Sequence, residues 1–404
     1  MNTFKMAWRN AWRNRRRTVV NVAATTIALF VTINYAGLVE GYLAAMEDNV
    51  LDLEMADAQI HAEGYRNDPS LYKKIDEPDK LLAALDAAGF RSTARLMGGG
   101  LAAGGDTSAG VMLRGIDVER DATVSEVNQH VSDGQWLDGS DDRGVVIGMN
   151  LAKTLNVEPG SEVVVLTQGF DGSMANQVYQ VRGILRSMGG GINQAGMFMT
   201  EQAFRELLVF PEGAHQIMVR KPADMSLPAA VERIRALAPD EDVKSWRELS
   251  PMIAQYVDNA KGIVNVMFFI IYVAIGILIL NTMLMAVFER VREIGVLKAL
   301  GVGPRKVVGL VYAETAIQTG LAVLVGSLLS LPLLGYLSAV GIDTGRMSGM
   351  SIGDVAWDST WHARISVDTF RGPILMLLFV VAFATLYPAI KAAFIKPVEA
   401  MRHQ

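Results

Sequence analysis

Four stretches of this chain carry almost no charge over lengths that can cross a bilayer, and they constrain the fold before any other feature. Thr18 to Val39 is 22 residues without a charged side chain, Gly262 to Phe288 is 27, and Gly372 to Ile390 is 19. Val307 to Val340 is 34 residues, interrupted only by Glu314. A helix needs about 20 predominantly apolar residues to cross a hydrocarbon core of roughly 30 Å. One such run could be a buried helix of a soluble protein, but four of them argue against a soluble chain. The sequence therefore predicts a membrane protein: four transmembrane helices with a large mixed α+β extracytoplasmic domain inserted between the first and second.

Charge orients these spans. Residues 1–17 hold Lys5, Arg9, Arg13, Arg15, Arg16 and Arg17 and no acid, which keeps that end cytoplasmic. Residues 47–260 carry 33 acidic and 19 basic side chains, a net charge of −14, and belong outside. The loop 289–306 returns to +3, residues 341–371 are −1, and the tail from Lys391 is +2. The chain is thus divided into a cytoplasmic amphipathic basic helix (1–17), a first span with its extension (18–46) and an external domain (47–260). There follow a second span (261–288), a cytoplasmic helix and loop (289–306), a third span (307–340), an external loop (341–371), a fourth span (372–390) and a cytoplasmic tail (391–404). The first apolar run is too long for a secretory signal and lacks a small-residue cleavage site, so it is read as a retained anchor.

Within residues 1–17, Phe4, Ala7, Trp8, Ala11 and Trp12 recur at helical spacing among the basic residues, the pattern of a helix lying on a lipid surface. The external segment interleaves strand and helix patterns. AQIHAEG, AGVMLRGID, GVVIGMN, SEVVVLTQG, NQVYQVRGIL and HQIMVRK read as strands, and DEPDKLLAALDAAGF, MTEQAFRELLVF and SLPAAVERIRALAP as capped helices. Two lobes are expected, with the strands from Ala109 to Leu185 forming much of one. The glycine-rich pieces Met97–Asp106 and Ser187–Gly196 lack the Gly-Lys-Ser/Thr end of a phosphate loop and read as flexible connections.

No catalytic, cofactor-binding or metal-binding set is recognisable. The chain has no cysteine, which excludes disulfides and thiol chemistry. His61, His130, His215, His362 and His403 show no ligand spacing, and no G-x-S-x-G elbow occurs. The 21 methionines read as packing material; Met347 and Met350 are too sparse for a copper site. Nothing points to nucleic acid. Inside the spans, Asn21, Asn34, Asn265, Asn281 and Glu314 are the expensive residues, expected to face protein or water; Asn265, Asn281 and Glu314 are kept as intramembrane candidates.

The loop after the second span has a helical pattern of its own. Val291, Ile294, Leu297 and Gly301 recur at steps of about three, broadened by Val296 and Leu300, while Glu289, Arg290, Arg292, Glu293 and Lys298 supply polar surface. A loop that only set topology would need basic residues alone. An apolar stripe asks for something to pack against.

NTMLMAVFERVREIGVLKALGVGPRKVVGLVYAE resembles the signature of permease subunits of FtsX-like, MacB-like ABC transporters, most of all the lipoprotein-releasing permeases. The pattern R-x-R-E-I-G-x-L-x-A-x-G falls on Arg290, Arg292, Glu293, Ile294, Gly295, Leu297, Ala299 and Gly301, with Glu314 as the acid early in the third span. YPAIKAAFIKPVEAMR is similar to the family's closing segment at Pro388, Ala392, Lys396, Pro397, Glu399, Ala400 and Arg402, with Met401 in place of leucine. Ala7–Thr18 resembles its amino-terminal helix, and Ala58–Tyr65 parts of its ectodomain. The resemblance implies that Glu289 to Leu300 is a coupling helix seated in a cytoplasmic ABC ATPase dimer, with Val291, Ile294 and Leu297 as the packed side and Arg290, Arg292 and Lys298 as polar contacts. It further implies ATP and magnesium on that separate ATPase, a second permease copy or paralogue, and a periplasmic carrier or adaptor. Motion, not a wide channel, would do the work. The long loop 341–371 departs from the pattern and leaves the cargo open.

Overall fold

The computed structural model describes residues 3–13, 15–186, 190–343, 351–352, 355–356 and 360–395. The tail positions Lys396, Pro397, Glu399, Ala400, Met401, Arg402 and His403, and Met347 and Met350 of the external loop, lie outside them. The chain forms two compact units, one within Met1–Ala44, Val257–Thr344 and Thr360–Gln404, the other within Ala45–Tyr256 and Gly345–Ser359.

Helix α1 (Thr3–Ala11) buries Ala7 and exposes Trp8, which meets Trp12 with ring centroids 6.1 Å apart. Helix α2 (Arg15–Val50) runs past the segment 18–46 expected for it. Ala44, Ala45, Met46 and Glu47 are strong helix formers, and no proline stops the chain there. It ends in a single π turn, Leu51–Met55, before Ala56 at φ +50°.

The mixed unit has strands β1 (Ala58–His61), β2 (Arg91–Gly104), β3 (Thr107–Ile116), β4 (Val131–Gly134), β5 (Gly144–Gly148), β6 (Glu162–Gln168), β7 (Met174–Leu185), β8 (Gly196–Thr200), β9 (Gln216–Arg220) and β10 (Asp242–Ser245). Its helices are α3 (Pro78–Ala87), α4 (Val118–Asp121), α5 (Met149–Leu155), α6 (Gly190–Ala195), α7 (Glu201–Leu208), α8 (Leu227–Leu237) and α9 (Trp246–Leu249). Strand β2 hydrogen-bonds to β3, which leads through β8, β5, β7 and β6 back to β2, so six strands close into a ring. The strands β9, β1 and β10 continue from the first half of β2, and β4 adds to β7.

Three cores lie on this one continuous sheet, one of them joining Ile116, Val146, Leu185 and Phe198 of the ring to Val127, Leu137 and Ile192. A second joins Leu113, Val145, Val163, Val165 and Met197 of the ring to Leu151 and Leu155 of α5 and Phe204, Leu207 and Leu208 of α7. The third packs Ile60, Ile217 and Val243 against Leu82 and Leu85 of α3 and Val231 and Ile234 of α8. These last two cores share β2 within a single compact unit, where the sequence predicts two lobes. That strand pairs with β9 from Arg91 to Arg95 and with β6 from Leu101 to Ala103.

The glycine-rich piece Met97–Asp106, expected as a flexible connection, is instead largely strand. A Cβ on Gly98 would stand 3.2 Å from Phe204 and Leu208, and one on Gly100 would stand 2.9 Å from the Leu166 carbonyl oxygen. Bare backbone lets α7 and β6 approach where β2 changes partners, which is a packing role for glycine within a strand. In the second piece, residues 190–195 form α6 and Gly196 opens β8, so it too is ordered structure where described.

The helical unit resumes with α10 (Pro251–Glu289), α11 (Val291–Ala299), α12 (Pro304–Ala339) and α13 (Val367–Ala393). Helices α2, α10, α12 and α13 are long and apolar enough to cross a membrane, and the mixed domain is inserted between the first and second of them, as the sequence predicts. The protein is a multi-pass membrane protein with a large extracytoplasmic domain. The helices pack through Leu29, Ile33, Phe268, Tyr272, Leu334, Leu377 and Val381. The start of α13 is held by a Ser366–Thr369 capping box, and both hydroxyls donate to Glu40 of α2, at 2.7 and 2.5 Å. Arg364 N–H donates to the Gly37 carbonyl at 2.9 Å, where the small residue lets an extended segment lie on the helix.

Candidate functional site

The signature segment folds as a short helix between two turns. Arg290 is the N-cap of α11, Leu300 closes it, and Gly301 follows at φ +89°, a conformation that favours glycine. Ile294 is only 7% exposed and packs with Val287, Val307, Val311, Ala389 and Ala392, which belong to α10, α12 and α13. Gly295 is buried beside it. Val291 and Leu297 are half-buried, whereas Arg292, Val296 and Ala299 are exposed and Leu300 is 78% exposed. The stripe expected to meet an ATPase is thus partly turned inward: its central residue, Ile294, completes the chain's own core. Periodicity shows that a helix has an apolar side but not which body covers it.

The polar residues divide in the same way. Lys298 donates through Nζ to the carbonyl oxygens of Ala393 and Ile395, each at 2.6 Å, which places a cation on the unsatisfied carboxyl end of α13. Arg290 pairs with Glu293 at 3.1 Å and with Glu314 of α12 at 3.2 Å. Arg17 of α2 pairs with Glu289 at 3.1 Å and reaches within 4.0 Å of Glu314. Arg13 pairs with Glu293. These contacts make an alternating chain, Arg13, Glu293, Arg290, Glu314, Arg17, Glu289, that ties the amino-terminal segment to the signature helix and the third span. Partial burial raises the Glu293 carboxyl, but hydrogen bonds and charge from Arg13 and Arg290 overcome it and hold that carboxyl below the ordinary range.

Above Glu314 the seam between α2 and α12 stays polar. Asn21 donates to Gln318 at 3.4 Å and Asn34 to Ser330 at 3.3 Å, and Thr32 meets Tyr272 of α10 at 2.5 Å. Gly326 lets the helices approach, since a Cβ there would stand 3.2 Å from Leu29. Such bonds join helices in lipid, where the apolar effect does not. Asn265 and Asn281, in contrast, lie on exposed faces of α10 and are not brought to the site.

The sequence assigns Arg13 and Arg17 to topology and to the lipid surface, not to these ion pairs. The available signal was the spacing Arg17–Asn21 and Glu314–Gln318, two polar pairs four residues apart on helices otherwise apolar. Among the described residues, no group of three or more His, Asp or Glu is placed to hold a metal ion.

Two family models match the chain. The MacB-like periplasmic core domain matches residues 18–237, more than half of the sequence, and the FtsX-like permease C-terminal matches residues 265–397. An uncharacterised ABC transporter permease of Methanocaldococcus jannaschii, MJ1507, is 23% identical over 284 residues, covering 67% of this chain and 65% of that protein. YknZ of Bacillus subtilis, another uncharacterised ABC transporter permease, is 30% identical over 129 residues, 32% of this chain and 28% of its own length. The macrolide export ATP-binding/permease protein MacB of Chlorobium phaeobacteroides is 31% identical over 126 residues, 31% of this chain and 16% of its own. In each case the match spans less than two-thirds of the relative's length.

Proposed function

Because this chain belongs to the FtsX-like, MacB-like superfamily of ABC transporter permeases, we propose that it is the membrane subunit that passes the motion of a separate cytoplasmic ATPase to its extracytoplasmic domain. Both termini and the loop 289–306 are cytoplasmic in this reading and the mixed domain is periplasmic, supported by the charge alternation along the sequence. ATP and magnesium act on the ATPase dimer. A second permease copy or paralogue completes the membrane part, and a carrier or adaptor meets the periplasmic domain.

The observation that carries the reading is the two-sided character of α11. One side is anchored in the permease through Ile294, Arg290 and Lys298, so displacement of α11 must move α10, α12 and α13. The other side offers Arg292, Val296, Ala299 and Leu300 to a partner. An exposed leucine between basic residues suits a groove with an apolar floor and an acidic rim. Glu289 and Glu293 act through Arg17 and Arg13 and extend the coupling to the amino-terminal segment. Asn265 and Asn281, exposed on α10, suit contact with the second permease.

For cargo, the resemblance of the signature to lipoprotein-releasing permeases favours acylated protein bound for the outer membrane. Efflux through a tripartite assembly is the second reading, favoured by the match to a macrolide export protein; control of a cell-wall hydrolase is a third. The test of the shared core is co-purification of a soluble ATP-binding subunit with the tagged, detergent-solubilised chain. Leu300→Asp removes that subunit while the amount of chain in the membrane is unchanged. Equal ATPase recovery with the variant refutes the assignment of this face. Crosslinking the ectodomain in cells and identifying the trapped protein separates the three cargoes.

A further inference from the structure

Between α2 and α12, on the outer surface of the helical unit, lies a groove of about 320 Å³ that the coupling function does not use. Trp12 closes one end, and its walls are Thr18, Val19, Val22, Ala23, Thr26 and Ile27 of α2 with Leu321 and Val325 of α12. Apart from two threonines the lining is wholly apolar. Val19, Ala23, Ile27 and Val325 are exposed, so among the described residues the groove is open.

Three observations identify its occupant. The first is length. From Thr18 to Ile27 the helix rises by about nine steps of 1.5 Å, roughly 14 Å, close to half of a hydrocarbon core of roughly 30 Å. A partner helix would need a seam through both leaflets; a groove that stops near the midplane suits an acyl chain. The second is register. Thr18, Val19, Val22, Ala23, Thr26 and Ile27 stand 3, 4, 7, 8, 11 and 12 places after Arg15, so Arg15 crowns the same helix face. The third is charge. Arg15 and Arg16 are exposed within one helical turn before Thr18, the groove's first residue on α2, and no acid lies in residues 1–17.

We propose that this groove binds one anionic phospholipid, an acyl chain lying along α2 and α12 and the phosphate held at Arg15. The groove supplies apolar contact to any lipid, and Arg15 supplies preference for a negative headgroup. The leaflet, cytoplasmic, rests on the orientation proposed above; the binding does not, so the two can fail separately.

Native mass spectrometry of the full chain in detergent, titrated with phosphatidylglycerol or with phosphatidylcholine of the same acyl chains, tests this without reference to topology or to an ATPase. The first phosphatidylglycerol is expected to bind about fivefold tighter than phosphatidylcholine, the factor for one basic residue at a lipid surface. Arg15→Gln abolishes that preference, and Arg16→Gln, off the groove face, leaves most of it. Ala23→Trp and Ile27→Trp, both at exposed positions, fill the groove and weaken both lipids alike. Equal binding of the two lipids by the unaltered chain overturns the proposal. So do equal losses from the two arginine variants, which would mark a diffuse field, and unchanged lipid retention in both tryptophan variants. A dimer lost in the tryptophan variants with lipid binding intact would assign the groove to a second copy and overturn it as well.

Discussion

Replacing Glu314 by leucine isolates the ionic chain from simple burial. Glu314 is 4% exposed and faces two guanidinium groups, Arg290 at 3.2 Å and Arg17 at 4.0 Å, whose side chains are 20% and 13% exposed. Removing one partner of a buried pair costs about 3–5 kcal/mol, because the other charge is left without compensation. Here each arginine keeps a second carboxylate, Glu293 for Arg290 and Glu289 for Arg17, which puts Glu314→Leu at the lower end, about 3 kcal/mol. For a unit of this size that is roughly a 6–12 °C fall in the unfolding midpoint. Arg290→Met alone costs less, about 2 kcal/mol, since that side chain is partly solvated. In the double variant the orphaned charge at 290 is gone, so its cost should fall about 2 kcal/mol short of the sum of the single variants. Thermal unfolding of the four proteins in one detergent, followed by circular dichroism, gives the cycle. Additivity within about 0.5 kcal/mol would refute direct pairing between α11 and α12 and leave burial alone as the role of Glu314.

Gly115→Val should destabilise the mixed domain by about 3 kcal/mol or more, because a Cβ there would stand 2.6 Å from the Phe204 Cβ. Faster amide exchange in β2, β3 and α7 is the readout, with protection in α10 to α13 unchanged. Arg95 and Asp121 form a buried bidentate pair at 2.7 and 2.9 Å, so Asp121→Ala should cost about 3–5 kcal/mol and Arg95→Met/Asp121→Leu together much less, measured by the same exchange. Burial pushes His61 and His215 down to about 4, so the unfolded chain binds more protons than the folded one below about pH 6.5. Stability of the mixed domain should therefore fall as pH drops from 6.5 to 4, by about 3 kcal/mol per imidazole. Exchange corrected for intrinsic rate should show the loss in β1 and β9, and His215→Gln should remove its share.

The spans were legible because absence of charge over 19 or more residues is a local property, and the strands β3, β5, β6 and β7 because their apolar spacing is local as well. Strand β2 was hidden: three adjacent glycines give no alternation, and the groups that crowd Gly98 and Gly100, the Phe204 ring and the Leu166 carbonyl, are far along the chain. Ring closure depends on β6 meeting β2 at Leu101–Ala103, which no window of sequence contains. At the signature helix, sequence spacing identified the apolar residues, but the inward turn of Ile294 is decided by Val307 and Ala389 on other helices. The partners of Glu293 and Glu289, Arg13 and Arg17, lie in the first seventeen residues, where an excess of basic side chains already had a sufficient explanation in topology.

The six-stranded ring has a mechanical meaning for the mixed domain. An open sheet can be peeled, one strand at a time, from its free edge. In a hoop every strand is held on both flanks, so a pull on any one of them loads the whole circumference, and a slip by one residue would turn buried side chains outward around it. Among the described residues, β4 and β10 end the sheet beyond the hoop, and within it the stretch Thr107–Val111 of β3 is paired on the β2 side alone. A strand added at β4 or β10 would lengthen the sheet without opening the hoop, whose closure makes it resist shear as one stiff block.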